Sequence, residues 1–78
     1  MNKLSIVIPA YNEEEGIVET LKQLTASFPN SEIIVVDDGS TDATTESVLN
    51  FNTVKLIKHE FNRGYGSAIK TGMHAATK

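Results

Sequence analysis

The stretch Glu32-Ile33-Ile34-Val35-Val36-Asp37-Asp38-Gly39-Ser40-Thr41-Asp42 carries the features that predict the fold of this chain. Its four consecutive β-branched residues are typical of a strand buried on both faces of a parallel sheet. Two carboxylates, a glycine and three residues that favour helix N-termini come next. We therefore expect a buried strand, a turn at Gly39 and a helix that begins near Thr41.

Two further strands are predicted on either side of this stretch, over residues 4–8 and 53–58. Pro9 cannot donate a hydrogen bond, so we expect the first strand to stop before it. Asn12 and Glu15 resemble a capping box, which predicts a helix from there to Phe28 with three glutamates in its first turn. The last helix is predicted to begin at Ser67, with an apolar face of Ile69, Gly72, Met73 and Ala76.

The order of these elements is βαβαβα, which indicates an α/β fold with a parallel three-stranded sheet. Right-handed crossovers favour the strand order 3-2-1, half of a doubly wound, Rossmann-like fold. The carboxyl ends of all three strands then meet at one edge of the sheet. Ligands of open α/β sheets bind at that edge, so we expect the site there.

The composition sets limits on the class of protein. The 78 residues are enough for one small domain over residues 1–78, and there is no cysteine for a disulfide or a thiolate metal site. The net charge of −3, without a cluster of basic residues, argues against a nucleic-acid partner. The apolar runs are far shorter than the roughly 20 residues that span a bilayer, so we expect a cytoplasmic protein.

Two local patterns suggest other sites. Gly64-Tyr65-Gly66 resembles the start of a dinucleotide fingerprint, but Ile69 replaces the third glycine and the pattern follows the third strand. The pair Asp37 and Asp38 suggests a metal site, yet neighbouring side chains of a strand point to opposite faces. We therefore expect one carboxylate to cap the turn and the other to face the ligand.

Three motifs at the strand ends resemble those of the family 2 glycosyltransferases. They are Ile6-Val7-Ile8-Pro9-Ala10-Tyr11-Asn12-Glu13-Glu14, Ile34-Val35-Val36-Asp37-Asp38-Gly39-Ser40-Thr41-Asp42, and Asn62-Arg63-Gly64-Tyr65-Gly66-x-Ala68-Ile69-x-x-Gly72. The resemblance implies the glycosyltransferase A fold, of which this chain would be the N-terminal, nucleotide-sugar-binding part. The form Gly-Tyr-Gly-x-Ala-Ile is similar to the branch that glycosylates dolichyl or polyprenyl phosphate.

By this resemblance, Asp38 accepts a hydrogen bond from the uracil imide, and Tyr11 offers its ring to the base. Arg63 stacks on the base or pairs with Asp38. His59 and His74 receive no role. The resemblance implies that the nucleotide-binding residues are Pro9, Ala10, Tyr11, Glu13, Asp37, Asp38, Gly39, Ser40, Arg63 and Gly64, and none of the chain's residues is assigned a catalytic role.

The implied function is that of an inverting transferase that moves a sugar from a UDP- or GDP-sugar to an acceptor. The family's Asp-x-Asp metal motif and catalytic base have no counterpart in the chain. A divalent metal, Mg²⁺ or Mn²⁺, is therefore expected only in the full-length enzyme, and the 78-residue chain is expected to bind none and to be inactive alone. The alternative is a non-catalytic module that binds a nucleotide or a partner.

Two expectations concern association. In a 3-2-1 sheet the first strand is an edge, although its residues read as a central strand, so we expect the chain to associate with itself there. The resemblance to transferases of polyprenyl phosphate also implies that the full-length enzyme works at the membrane surface.

Overall fold

A computed structural model describes residues 4–77. Three parallel strands form one sheet with the second strand of the chain in the middle, which confirms the predicted α/β fold and sheet order. In chain order the elements are β1 (Ser5–Ala10), α1 (Ile17–Ser27), β2 (Glu32–Asp37), α2 (Thr44–Leu49), β3 (Val54–Lys58) and α3 (Tyr65–Ala75).

The central strand β2 supplies the middle of both cores. Ile33 and Val35 join one apolar cluster with residues of α1 and α2, and Ile34 and Val36 join a second cluster with α3. All four side chains are buried, as expected for a strand covered on both faces. Helices therefore cover both sides of the sheet, and the carboxyl ends of the strands lie at its edge.

Helix α3 packs very closely on β1 at Gly72. A Cβ atom on this residue would lie 2.2 Å from Cγ1 of Val7, so a side chain there would fit only if Val7 or the helix shifted. Gly72 and Ala68 are the buried residues of α3, whereas Met73, which was predicted to share the buried face, is 65% exposed. The small residues of α3 thus form its contact face.

The prediction that pairing stops before Pro9 is wrong, because β1 continues through Pro9 to Ala10. Pro9 is in register with Val36 of β2, and the carbonyl of Ala10 accepts from the N–H of Asp38 at 2.8 Å. Since the polar groups of successive strand residues point to opposite sides, the nitrogen of Pro9 faces away from β2. β1 is an edge strand, so this nitrogen has no ladder bond to lose.

The predicted helix starts are also wrong. Helix α1 begins at Ile17 rather than near Asn12, and its N-cap, Gly16, makes no side-chain hydrogen bond. Helix α2 begins at Thr44, three residues after Thr41. Helix α3 begins at Tyr65, so Ser67 lies within the helix and does not cap it.

In the described part of the chain, residues 4–77, each helix is too short or too polar to cross a membrane.

Candidate functional site

A cavity of about 510 Å³ opens at the carboxyl ends of the strands. It lies between the loop after β1, the end of β2 and the segment that leads into α3. Its lining combines two tyrosine rings and two carboxylates with small residues that leave space for a ligand. The residues around it are Pro9, Ala10, Tyr11, Glu13, Asp38, Asn62, Gly64, Tyr65 and Ala68.

The loops after β1 and β2 are joined by hydrogen bonds. The N–H of Asn12 donates to Oγ of Ser40 at 2.9 Å, and Oδ1 of Asn12 accepts from the N–H of Thr41 at 2.9 Å. The N–H of Glu13 donates to Oγ1 of Thr44 at 2.8 Å. Asn12 has a φ of 52°, a conformation that asparagine tolerates better than most residues. Asn12 therefore connects the two loops and does not cap α1.

Asp37 stabilises the turn after β2. It is fully buried, and its Oδ1 accepts from the N–H of Ser40 at 2.9 Å, while Oδ2 accepts from the hydroxyl of Thr45. Nζ of Lys58 lies 3.4 Å from Oδ2. Burial is the largest influence on the pKa of Asp37 and raises it, but these hydrogen bonds and the lysine charge together lower the pKa below its usual value. The ionised carboxylate of Asp37 thus holds the turn after β2 through these hydrogen bonds.

Asp38 holds the segment that leads into α3. Its Oδ1 accepts from the N–H of Arg63 at 2.9 Å, and its Oδ2 accepts from the N–H of Gly64 at 2.8 Å. Burial again has the largest effect on its pKa and raises it, but the bonds from His59, Arg63 and Gly64 outweigh burial and lower the pKa. A carboxylate that is ionised and lines the cavity is therefore available to a hydrogen-bond donor of a ligand.

His59, to which the sequence assigned no role, is part of this site. It is 5% exposed, its Nδ1 lies 2.7 Å from Oδ1 of Asp38, and its Nε2 lies 2.9 Å from Oγ1 of Thr71. The register of β2 and β3 pairs Asp37 with Lys58, which places the following residues, Asp38 and His59, side by side. Only that register could have revealed the contact, because 21 residues separate them in the chain.

The Arg63 side chain lies outside the cavity lining. Its guanidinium carbon lies 5.4 Å from the centre of the Phe61 ring, within the range of a cation–π contact. Its backbone N–H, rather than its guanidinium, contacts Asp38. Phe61 is 62% exposed, so this contact lies at the protein surface.

Gly39 permits close contact between the turn after β2 and the loop after β3. Its φ is +79°, and a Cβ atom there would lie 2.5 Å from both the backbone nitrogen of Asn62 and the carbonyl carbon of Phe61. Gly64 also has a positive φ, +101°, but faces open space. Both positions therefore need glycine, for different reasons.

The cavity brings together only part of the predicted set of nucleotide-binding residues. Those that line it are Pro9, Ala10, Tyr11, Glu13, Asp38 and Gly64. The others, Asp37, Gly39, Ser40 and Arg63, lie behind or beside the lining and shape its loops. Three lining residues were not predicted: Asn62, Tyr65 and Ala68.

Metal ligands are not clustered in the part of the chain that the structure describes. Within residues 4–77 no three histidine, aspartate or glutamate side chains come together as a metal site would require. The two adjacent carboxylates, Asp37 and Asp38, are each held by hydrogen bonds to different segments. These residues therefore do not fit a divalent metal.

Comparisons with known proteins agree with this arrangement. The profile of the family described as "Glycosyl transferase family 2" matches residues 5–78. A mannosyltransferase from Pyrobaculum calidifontis, solved in complex with GDP-Man and Mn²⁺, superimposes with a TM-score of 0.86 at 28% identity. The match covers 95% of this chain and 24% of that enzyme.

Curated relatives point the same way. The chain is 43% identical to the uncharacterised protein MJ1222 of Methanocaldococcus jannaschii, over 96% of its own length. It is 37% identical to a dolichyl-phosphate beta-glucosyltransferase of Drosophila melanogaster over 95% of its length, and 39% identical to an undecaprenyl-phosphate 4-deoxy-4-formamido-L-arabinose transferase of Proteus mirabilis over 97%. It spans 30%, 27% and 26% of these three relatives, respectively.

The family profile extends from β1 through α3, and the solved transferase shares the whole βαβαβα arrangement. The chain belongs to glycosyl transferase family 2 and has the glycosyltransferase A fold.

Proposed function

We propose that this chain is the nucleotide-sugar-binding part of an inverting glycosyltransferase. The observation that carries the proposal is the cavity at the carboxyl ends of the strands, which is lined by an ionised, buried carboxylate and an accessible tyrosine ring. Such a pairing suits a nucleobase, which presents a flat face for stacking and N–H donors at its edge. Asp38 would accept from the base, and Tyr11, 46% exposed, would stack on it.

The proposed reaction transfers the sugar from the nucleotide diphosphate to an acceptor. Inversion requires in-line attack of an acceptor oxygen at the anomeric carbon, while the diphosphate leaves from the opposite face. We favour a polyprenyl phosphate as the acceptor, because similar proteins are named as dolichyl-phosphate and undecaprenyl-phosphate transferases. No residue in the range 4–77 is assigned as the base that would activate this acceptor.

The divalent metal of the complete enzyme is proposed to bind outside the described residues. The similar mannosyltransferase was solved with Mn²⁺, yet residues 4–77 provide no ligand cluster for one. The described residues would then bind the nucleoside and leave the diphosphate to the remainder of the enzyme.

Nucleotide titration tests this division. When UDP is added to ¹⁵N-labelled protein, we expect amide shifts centred on Tyr11, Asp38 and Arg63. Affinity should be weak, and Mn²⁺ should change it by less than about twofold, because the ligands of a metal are not clustered in the described part of the chain. A strong dependence on Mn²⁺, or shifts centred elsewhere, would contradict the proposed site.

We also propose that the chain associates with itself through β1. This strand is an edge of the sheet, and Leu4 next to it is 53% exposed. Beyond Ser5, the side of β1 that faces away from β2 has no neighbouring strand among the described residues, and an open apolar edge of this kind templates pairing with another chain. Light scattering after size exclusion should show a concentration-dependent dimer that Leu4→Lys weakens, since charge on an edge disfavours pairing.

The matched control for this test is Leu49→Lys. Leu49 is 63% exposed but lies on α2, away from the open edge of β1. It should leave the dimer unchanged. A monomer of 8.5 kDa at every concentration would rule out association through β1.

A further inference from the structure

The buried histidine behind Asp38 restricts what this carboxylate can bind. His59 is enclosed between Asp38 and Thr71, and both of its ring nitrogens have partners. A carboxylate only accepts, so Nδ1 must carry a proton and donate to Oδ1 of Asp38. Thr71 satisfies the other ring nitrogen and fixes the orientation of the ring.

The acceptor positions of Asp38 are almost all in use. An ionised carboxylate has about four lone-pair positions. Oδ1 accepts from Nδ1 of His59 at 2.7 Å and from the N–H of Arg63 at 2.9 Å. Oδ2 accepts from the N–H of Gly64 at 2.8 Å. A single acceptor position remains, and it belongs to Oδ2.

This remaining position is on the cavity side of the carboxylate. Gly64, which binds Oδ2, lines the cavity together with Asp38. The residues that bind Oδ1, His59 and Arg63, do not line it. A ligand in the cavity therefore meets Oδ2, while Oδ1 is turned toward the protein.

Nucleobases differ in the number of donors that they bring to such a carboxylate. The imide edge of uracil has one N–H, at N3, between two carbonyls. The corresponding edge of guanine has two adjacent donors, N1–H and the N2 amino group, which together require two acceptors. A carboxylate with one open acceptor matches uracil, whereas the second guanine donor finds no acceptor position on Asp38 and loses a charge-assisted hydrogen bond.

We propose that His59 is a specificity-determining residue that makes the site select uridine over guanosine nucleotides. By occupying Oδ1, it holds the Asp38 carboxylate in an orientation that offers only Oδ2 to the base. This inference rests on the proposed function, because it assumes that the cavity binds the base of a nucleotide. Within that function, His59 acts through Asp38 and is a positioning residue.

Calorimetric titration with UDP and with GDP provides the test. The unsubstituted protein should bind UDP at least about tenfold more tightly than GDP, the loss expected for one unpartnered donor. In His59→Leu one acceptor position of Oδ1 is released while the N–H groups of Arg63 and Gly64 still hold the carboxylate, so a second donor of a base can reach Asp38. UDP should then bind more weakly, and the ratio of UDP affinity to GDP affinity should fall at least about fivefold.

Three further variants separate selectivity from folding. His59→Asn should restore the ratio, because a carboxamide N–H can donate to Oδ1 in place of Nδ1–H. Thr71→Val should reduce the ratio less than His59→Leu, since it removes only the support of the ring. The matched control is His74→Leu. His74 lies on α3, as Thr71 does, but its side chain is exposed, so this variant should leave the ratio of UDP affinity to GDP affinity unchanged.

The outcomes distinguish this inference from the proposed function. Equal binding of UDP and GDP, or tighter binding of GDP, would overturn the role of His59 but leave the nucleotide site standing. An unchanged ratio in a folded His59→Leu would do the same. If His59→Leu does not fold, the ratio of UDP affinity to GDP affinity in the unsubstituted protein, together with the change in that ratio in Thr71→Val, tests the role of His59. Failure of both nucleotides to bind would overturn the proposed function and the inference together.

Discussion

Replacing Gly39 with alanine is expected to lower the free energy of unfolding by about 3 kcal/mol. The positive φ of +79° costs a residue with a Cβ about 1–2 kcal/mol. The new Cβ would also lie 2.5 Å from backbone atoms of Phe61 and Asn62, and overpacking of this kind typically costs about 1–3 kcal/mol. A domain of this size has about 3–5 kcal/mol in total, so only about 0–2 kcal/mol would remain and up to about half of the molecules would be unfolded.

Two other glycines separate the contributions to this effect. Gly64→Ala, with φ +101°, ψ 162° and open space around the Cβ, should show the conformational cost alone, about 1–3 kcal/mol. Gly66→Ala has neither a positive φ nor a neighbour within 4 Å and lies within α3, so it should stabilise the protein by about 0.5–1 kcal/mol. Urea unfolding followed by circular dichroism measures all three.

The order of the three variants is the result that matters. If Gly39→Ala were no more destabilising than Gly64→Ala, the backbone of the loop after β3 would not be packed against the turn after β2. The position of Asn62 in the cavity lining would then have no such support.

Asp38→Ala is expected to weaken UDP binding by about 1.5–3 kcal/mol, or roughly 10- to 150-fold, the range for a hydrogen bond to a charged group. The variant should also lose about 2 kcal/mol of stability, because His59 and the N–H groups of Arg63 and Gly64 lose their acceptor. Both effects follow from one carboxylate that holds a protein segment and faces the ligand.

Asp37→Ala is the matched comparison. Its carboxylate is also buried, and its removal leaves the N–H of Ser40, the hydroxyl of Thr45 and the ammonium of Lys58 without that acceptor. Stability should fall by a similar amount, about 2 kcal/mol. UDP affinity should change by less than about threefold in the folded fraction, because Asp37 does not line the cavity.

Calorimetric UDP binding, corrected for the fraction folded in the same buffer, distinguishes the two aspartates. Asn in place of each aspartate provides a second pair that preserves volume. Greater loss of affinity in the Asp37 variants than in the Asp38 variants would mean that the two carboxylates have the reverse roles.

The sequence by itself determined the kind and order of the elements and the edge at which the site lies. The unbroken β-branched run from Ile33 to Val36 could be stable only if both faces of the strand were covered, which implies a parallel sheet between helix layers. Short connections and right-handed crossovers then leave the order 3-2-1 as the simplest arrangement. Pro9, Tyr11 and Asp38 lie at or just after the ends of predicted strands, so the sequence alone indicates where the cavity lies.

The tertiary structure alone decided what individual polar residues do there. Asn12 has a local pattern that favours a helix cap, but Ser40 and Thr41, 28 and 29 residues away, offer it hydrogen bonds that stabilise a different conformation. His59 gained a role only because the strand register brings it beside Asp38. Hydrophobic periodicity specifies which faces are buried, whereas hydrogen bonds between distant segments depend on register and loop geometry, which no local pattern encodes.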